Sequence, residues 1–479
     1  MFTFGGRKAL AALNEIPSFG FIPAVFPRDP IEINLFLEHV ALGQVIEPLI
    51  STDKEGNVAP GLAQKWEFSS DSKKIMFTLE PGLVFSTGAP LTAEDVKFSI
   101  ERHMQSNSQS KPYLQCIEII NVKSKTEIEF VLNEAQPALI KALSRDHLGV
   151  LPKGWAFNKQ SGEPYTGSGP YRAVKRNDGW HYVMNTHYRK KQPSLIPEWK
   201  ILLSDEPEKE ISKGLVPDYM PSAMSVPLAA FRKLHPEIQR SYTIAEERHY
   251  SQLSGWWYPH GVHYLNEAKR IIAICTIKKY LRKRAEANGF KIATGVIPEG
   301  VAGFLPTPLD DLPKCKPASQ EFEIKVAVIK SGYSVVVDAS AVDEMRKSEK
   351  VRISFFPFEL ANKHVLMEIK PDVVITAWAG GFNDPQGFLP ILTNTLDIDL
   401  SIYFGSLAPL YQSARAEGDW TKRAEYFRSL NEKLQRQMLM APGWKLSIFA
   451  LRRNNLVVNV QNFRFSPSLV NVSFANSNP

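Results

Sequence analysis

The chain has 479 residues, 44% hydrophobic and 22% charged, with 57 lysines and arginines against 50 aspartates and glutamates for a formal charge of +7. At roughly 100–200 residues per domain the length is too great for one core, and two to four domains are expected. The composition is that of an ordinary globular protein, and the absence of any run near the roughly 18 uninterrupted apolar residues of a membrane span excludes a helical membrane protein.

The first residues, MFTFGGRKALAALNEIPSFGF, carry two basic side chains but no apolar run followed by a small-residue cleavage site, and no cysteine to accept a lipid. Further on, Ile75, Phe77 and Leu79 alternate with polar neighbours and predict a half-buried strand. Pro81-Gly82 then fits a tight turn. Thr92 is placed to cap a helix, with Glu94 and Asp95 in its first turn and Val96, Ile100 and Met104 on its core face. Gly167-Ser168-Gly169-Pro170 predicts a sharp turn into an edge strand. It is no phosphate loop, because neither GxGxxG nor a following Lys-Ser/Thr is present.

Lys278, Lys279, Arg282, Lys283 and Arg284 crowd one helix whose apolar side is Ile271, Ile274, Cys275 and Leu281. Without interleaved aromatics or a recognition motif, this reads as a solvated face and no nucleic acid is expected. Phe427, Leu430, Leu434 and Met438 form one face of a later helix that Pro442 cannot continue. Strands and short helices alternate throughout, punctuated by 34 prolines and 28 glycines, as in a mixed α/β protein.

Three cysteines, Cys116, Cys275 and Cys315, exclude a dense disulfide framework and any CxxC motif. One disulfide is compatible with them, Cys275 to Cys315 being the favoured pair, and none is required. Catalytic templates are missing: there is no HExxH, GxSxG, Walker A or HxE…CxxC. His260 and His263 lack further ligands and fit surface or capping roles better than a metal site. Glu94/Asp95 and Asp310/Asp311 are sequence neighbours and suit helix starts or loops better than acid/base pairs. Neither an enzyme nor a cofactor is expected.

The run from Glu47-Pro48-Leu49-Ile50 through APGLAQKWEFSSDSKKIMFTLEPGLVFSTGAPLTAEDV, ending at Val96, resembles the signature of the family 5 extracellular solute-binding proteins. These are the periplasmic dipeptide, oligopeptide and nickel receptors of ABC importers. The matching positions include Pro60, Leu62-Ala63, Trp66, Asp71, Phe85, Gly88 and Leu91 through Val96. Tyr165–Tyr171, Lys213-Gly214 with Asp218, Tyr264–Asn266, Ile297–Gly300 and Ala441–Leu446 resemble later family segments, so the likeness spans most of the chain.

The resemblance implies an α/β, two-lobed periplasmic-binding-protein-like fold of type II, with three domains and a ligand cleft between lobes. Domain I would be assembled from 1–42, 166–265 and 445–479, domain II from 43–165, and domain III from 266–444. It also implies a monomer that captures a peptide-like or other small solute and hands it to permease subunits. Such a protein works in the periplasm or anchored at the cell surface, its export signal absent from this sequence. An intracellular ligand sensor is the alternative reading.

Pro371-Asp372-Val373-Val374, then Ile375 through Pro385, looks like the family's strand-to-loop motif, whose loop faces the ligand. Trp378, Ala379, Gly380, Gly381, Phe382, Asn383 and Asp384 are therefore the expected binding residues. In peptide-binding members the acid three residues after the tryptophan pairs with the peptide's α-amino group. Here that position is Gly381. Asp384 belongs to the family's Asp-Pro pair, whose expected role is turn formation, and it or a remote carboxylate would have to replace the missing acid. Trp256, Trp257 and Tyr258 form a second aromatic cluster expected to offer at least one ring to a solute.

Overall fold

The computed structural model describes residues 16–23, 26, 28–33, 36–53, 56–106, 108, 110–157, 165–190, 195–223, 230–247, 251–261, 266–309, 315–330, 336–359, 364–379, 384–387, 403–446, 448–458 and 468–475. The chain divides into two compact units. The first is Met1–Asn133, Leu139–Arg248 and Ser447–Pro479; the second is Glu134–Ala138 with His249–Leu446.

The first unit begins with strand β1 (Ser18–Ile22), helix α1 (Phe36–Leu42), and strands β2 (Ile50–Thr52), β3 (Val58–Pro60), β4 (Ala63–Phe68) and β5 (Lys74–Leu79). Helix α2 (Ala93–Gln105) follows, then β6 (Ile117–Val122), β7 (Glu127–Leu132), β8 (Tyr171–Arg176), β9 (Gly179–Met184), β10 (Glu198–Leu203), β11 (Tyr219–Ala223) and β12 (Tyr242–Glu247). The period-two pattern of β5 holds: Ile75, Phe77 and Leu79 are buried, and Phe77 meets Phe130 of β7 edge-on at 5.0 Å. Gly82 takes a positive φ of 76° in the predicted turn. Asp95 reaches back to accept the Thr92 N–H at 2.7 Å, so α2 starts where the sequence places it. Met104 lies only at the edge of the core, and His103 is the side chain buried at that end of the helix.

The second unit contributes β13 (Ser251–Trp257), α3 (Glu267–Ala287), β14 (Phe322–Ile329), α4 (Ala339–Glu349), β15 (Val351–Phe358), β16 (Val373–Ala379), α5 (Ala408–Ala416), α6 (Trp420–Arg436) and β17 (Met440–Lys445). The chain then returns to the first unit as β18 (Ile448–Arg453), β19 (Leu456–Val458) and β20 (Val472–Phe474).

Two principal sheets, each with a large core, organise the first unit. A seven-stranded sheet runs β12-β18-β11-β1-β10-β9-β8, with β8 at its edge behind Pro170. A four-stranded antiparallel sheet runs β4-β5-β7-β6. Residues 49–150 pack on the four-stranded sheet, while Phe19, α1 and residues from 151 onward pack on the seven-stranded one. The second unit holds one five-stranded sheet, β15-β14-β16-β13-β17, parallel over its first three strands. β13 lies ahead of the expected domain start at 266, yet it hydrogen-bonds to β16 and β17 on its two sides and so belongs to this sheet. Cys275 on α3 is joined to Cys315 by a disulfide, the pair favoured from the sequence.

Candidate functional site

β16 is apolar at Val373, Val374 and Ile375 because both faces of the sheet are covered. It pairs in parallel with β14 and antiparallel with β13, which sets Trp378 opposite Gln252 and Ala379 opposite Ser251. The chain therefore leaves the sheet at a carboxyl end of its parallel portion, the end where open α/β sheets generally take ligands. Gly380, Gly381, Phe382 and Asn383 lie outside the described residues, as do the side chains of Trp378 and Ala379. Gln252 is buried beside this strand end and donates through Nε2 to the Gly295 carbonyl at 2.6 Å.

The motif's acid has another partner. Arg423 on α6 donates to both oxygens of Asp384, from Nε at 3.1 Å and Nη2 at 3.0 Å, and Asp384 also accepts the Gln386 N–H at 2.9 Å. Both side chains are withdrawn from water, Arg423 at 0% and Asp384 at 1% exposure. The remaining guanidinium donors go to the Gln386 side chain and to the carbonyls of Ala414 and Arg415, and the cation lies over the Phe427 ring at 5.0 Å. With its charge matched and its lone pairs engaged, this carboxylate has a structural use. Asp384 anchors the Pro385–Gly387 turn, the role expected of its Asp-Pro pair, and is corrected as a candidate ammonium ligand.

Arg423 belongs to a buried polar edge of α6 that sequence reading passes over. Asn431 accepts the Val296 N–H at 2.9 Å and donates to the Gly303 carbonyl, and Gln435 donates to the Thr294 carbonyl at 3.0 Å. Gly295 packs so close that a Cβ there would run into the Asn431 amide. One helix thus fixes the backbone of 294–303 at one end and the Asp384 turn at the other. The signal was present: Arg423, Asn431 and Gln435 recur at helical spacing inside the apolar stripe of Phe427, Leu430 and Leu434.

The aromatic cluster is core. Trp256 and Trp257 are adjacent in β13 and point to opposite faces of a sheet covered on both, so each is enclosed, at 2% and 0% exposure. Trp256 packs with Tyr403 at a ring separation of 6.4 Å, and Trp257 packs among the residues of α3. Tyr258 is buried, its hydroxyl 3.7 Å from the Met367 sulfur. These three side chains hold the second unit together from within.

The other candidates resolve similarly. Gly167 and Gly169 are glycine because their Cα atoms press on the Val45 backbone; the Gly169 N–H donates to the Val45 carbonyl at 2.8 Å. The basic run of α3 is matched by acids: Lys279 meets Glu349, Arg284 meets Asp338 (each 2.7 Å), and Lys283 meets Glu344. His260 is exposed, and His263 lies outside the described residues. Among the described residues no cluster of His, Cys, Asp or Glu is arranged to hold a metal, and no helix is long and apolar enough to cross a membrane.

Residues 57–200 match the family model for bacterial extracellular solute-binding proteins, family 5 Middle. The periplasmic murein peptide-binding protein MppA of Escherichia coli is 21% identical over 90% of this chain and 86% of its own length. Its solved structure superposes with a TM-score of 0.75 over 96% of this chain and 99% of that one. The periplasmic oligopeptide-binding protein OppA of Haemophilus influenzae is 24% identical, the match spanning 41% of each chain. The binding protein AgaA of Agrobacterium tumefaciens, solved with agropinic acid, has a TM-score of 0.74 at 15% identity over 96% of this chain and 99% of its own. All are binding proteins, and the fold they share is the type II periplasmic-binding-protein fold expected from the motifs. The matched segment is that of the family 5 extracellular solute-binding proteins, and the chain shares the fold of solved periplasmic binding proteins.

Proposed function

We propose that this protein is the solute-capturing subunit of an ABC importer, a binder and not an enzyme. It works as a monomer in the periplasm, free or anchored at the membrane surface, and passes its solute to permease subunits. Trp378 through Asn383 form a wall of its binding site. The proposal rests chiefly on one observation: the segment resembling the family's binding loop has glycine at 381, and the nearby Asp384 is committed to Arg423.

A buried ammonium left without a counter-charge costs several kcal/mol. The solute class that suits this loop is accordingly one not held by a free α-amino group at that point: a blocked or cyclised peptide, or a non-peptide organic solute. The glycine pair, lacking side chains, leaves room there for a bulkier group.

Native mass spectrometry of gently purified protein should find a retained solute. Calorimetry with a tripeptide and its N-acetyl form tests the chemistry. N-acetylation should change affinity by less than about tenfold, the equivalent of about 1.4 kcal/mol. A loss of a hundredfold or more on acetylation would overturn the assignment.

A further inference from the structure

Three histidines that no binding role absorbs come together inside the first unit. His39 lies on α1, His103 near the end of α2, and His147 in the 3-10 turn Asp146–Leu148, with exposures of 3%, 2% and 0%. The His147 ring stands 4.6 Å from His39 and 5.6 Å from His103, centroid to centroid. His147 Nδ1 is 3.1 Å from His39 Nδ1, its Nε2 meets the Ser110 hydroxyl, and His103 Nδ1 is 2.7 Å from Ser108 Oγ.

Their location matters more than their number. Val40, Ala41 and Leu42 beside His39 belong to the core of the seven-stranded sheet, whereas Val96 and Ile100 on α2 and Leu148 beside His147 belong to the core of the four-stranded sheet. The rings are where these two cores are joined. We propose that His39, His103 and His147 form an acid-labile joint that holds the two cores together while all three rings are neutral and parts when they take up protons.

The chemistry follows from what surrounds them. A hydrogen bond between two Nδ1 atoms needs one ring to donate and the other to keep a bare nitrogen, so His39 and His147 cannot both be protonated and still make it. The charged and titratable groups on the packed elements are Arg145 and Asp146 beside His147, Arg102 beside His103, Glu38 beside His39, and Tyr113 under Arg145 at 5.5 Å. Asp29 holds Arg102 at 2.6 Å, and Arg28 holds Glu38 at 2.6 Å. Arg145, itself buried, opposes any new positive charge on the rings. Burial, then Arg145, holds His39 well below the usual histidine range; burial, then Arg145 and the neighbouring rings, does the same for His147. Burial and Arg102 take His103 down to about 3.

The direction is fixed by linkage. Each folded-state value lies below the unfolded one, so the unfolded or parted state binds more protons. The contribution to stability is complete above about pH 6.5 and falls as pH drops below it. The equilibrium for parting rises by up to about tenfold per pH unit for each histidine that becomes protonated. Two or three acting together give on the order of 100- to 1000-fold per unit, before most carboxylates titrate. The described histidines of the second unit, His260 and His364, are exposed.

Hydrogen-exchange mass spectrometry on the full chain between pH 7.5 and 5.0, corrected for intrinsic exchange rates, is the test. Peptides covering 36–46, 93–105 and 146–150 should lose protection by about 100-fold or more per pH unit below 6.5, while those covering 267–287 and 420–436 hold theirs. His103→Gln and His147→Asn should each flatten that slope by about tenfold per unit. Should neither variant fold, 13C-labelled histidine in the wild-type protein decides, because three ring resonances must stay fixed from pH 8 to 5.5. Resonances that all titrate near 6.5, equal pH slopes in the two units, or slopes unchanged in both variants would each overturn the joint.

Discussion

Arg423 grips Asp384 with two donors, at 3.1 and 3.0 Å, at a place where neither side chain meets water. The pair ties the first turn of α6 to the end of the loop that follows β16. Its Coulombic gain is set against the desolvation of both ions, so its net stabilising value is small while the cost of breaking it is large. Removing either partner leaves an unmatched buried charge. Asp384→Asn and Arg423→Met should each lower the unfolding free energy by about 3–5 kcal/mol in urea titrations. The double variant should recover part of that loss. Single variants that stay stable yet lose affinity for a bound tripeptide would return Asp384 to the ligand.

How far the sequence reached depended on whether a signal was local. The alternation at Ile75, Phe77 and Leu79, the Thr92 cap and the Pro81-Gly82 turn each depend on neighbours a few residues away, and each reads correctly. The membership of β13 did not, because its pattern is identical whether it joins one sheet or another; only pairing with β16 and β17 decides it. Trp256 and Trp257 suggest a solute surface because aromatic rings suit ligands, and a strand's two faces cannot be told open or covered from its own residues. Both faces are covered. Arg423 and Asn431 are polar by type, and although their spacing places them in the apolar stripe of α6, their partners at Asp384 and Val296 lie far away in the chain and only the fold reveals them.

The Cys275–Cys315 disulfide closes a 40-residue separation between α3 and the segment leading to β14. On the chain-entropy account a loop of that size contributes about 4 kcal/mol, chiefly by restricting the unfolded chain. Cys275→Ser with Cys315→Ser, or reduction by dithiothreitol, should lower the unfolding free energy by about 2–4 kcal/mol. Cys116, buried in the first unit, should resist alkylation in the folded protein throughout. Urea titrations with and without reductant measure the first effect, and an unchanged midpoint would show that the bond adds nothing.

Trp378 is the penultimate residue of β16, opposite Gln252, just before the strand hands over to the proposed binding loop. If its ring meets the solute, Trp378→Ala should weaken binding by about 2 kcal/mol or more, the scale of an aromatic hot spot. The melting temperature of the solute-free protein should change little. Calorimetry with the solute identified by native mass spectrometry gives the first number and scanning calorimetry the second. Intact affinity with a collapsed melting temperature would make Trp378 a packing residue like Trp256 and Trp257.

Gly381 distinguishes the solute classes. Because Asp384 is held by Arg423, no neighbour in the motif supplies the negative charge that a free peptide amino group needs. Gly381→Asp should place a carboxylate at that position and raise affinity for tripeptides with free amino termini. A charge-assisted hydrogen bond contributes about 1–3 kcal/mol, so binding should tighten by about 5- to 150-fold, less any strain if the backbone at 381 needs a positive φ. N-acetylated versions of the same tripeptides should gain nothing, and this difference separates a new ion pair from a general tightening of the loop. Calorimetry of both peptide sets against wild type and variant provides the measurement. Equal gains for free and acetylated peptides would mean that residue 381 does not face the amino group. Tight binding of free tripeptides by the wild type, lost on acetylation, would mean that a carboxylate from elsewhere in the chain already performs the task.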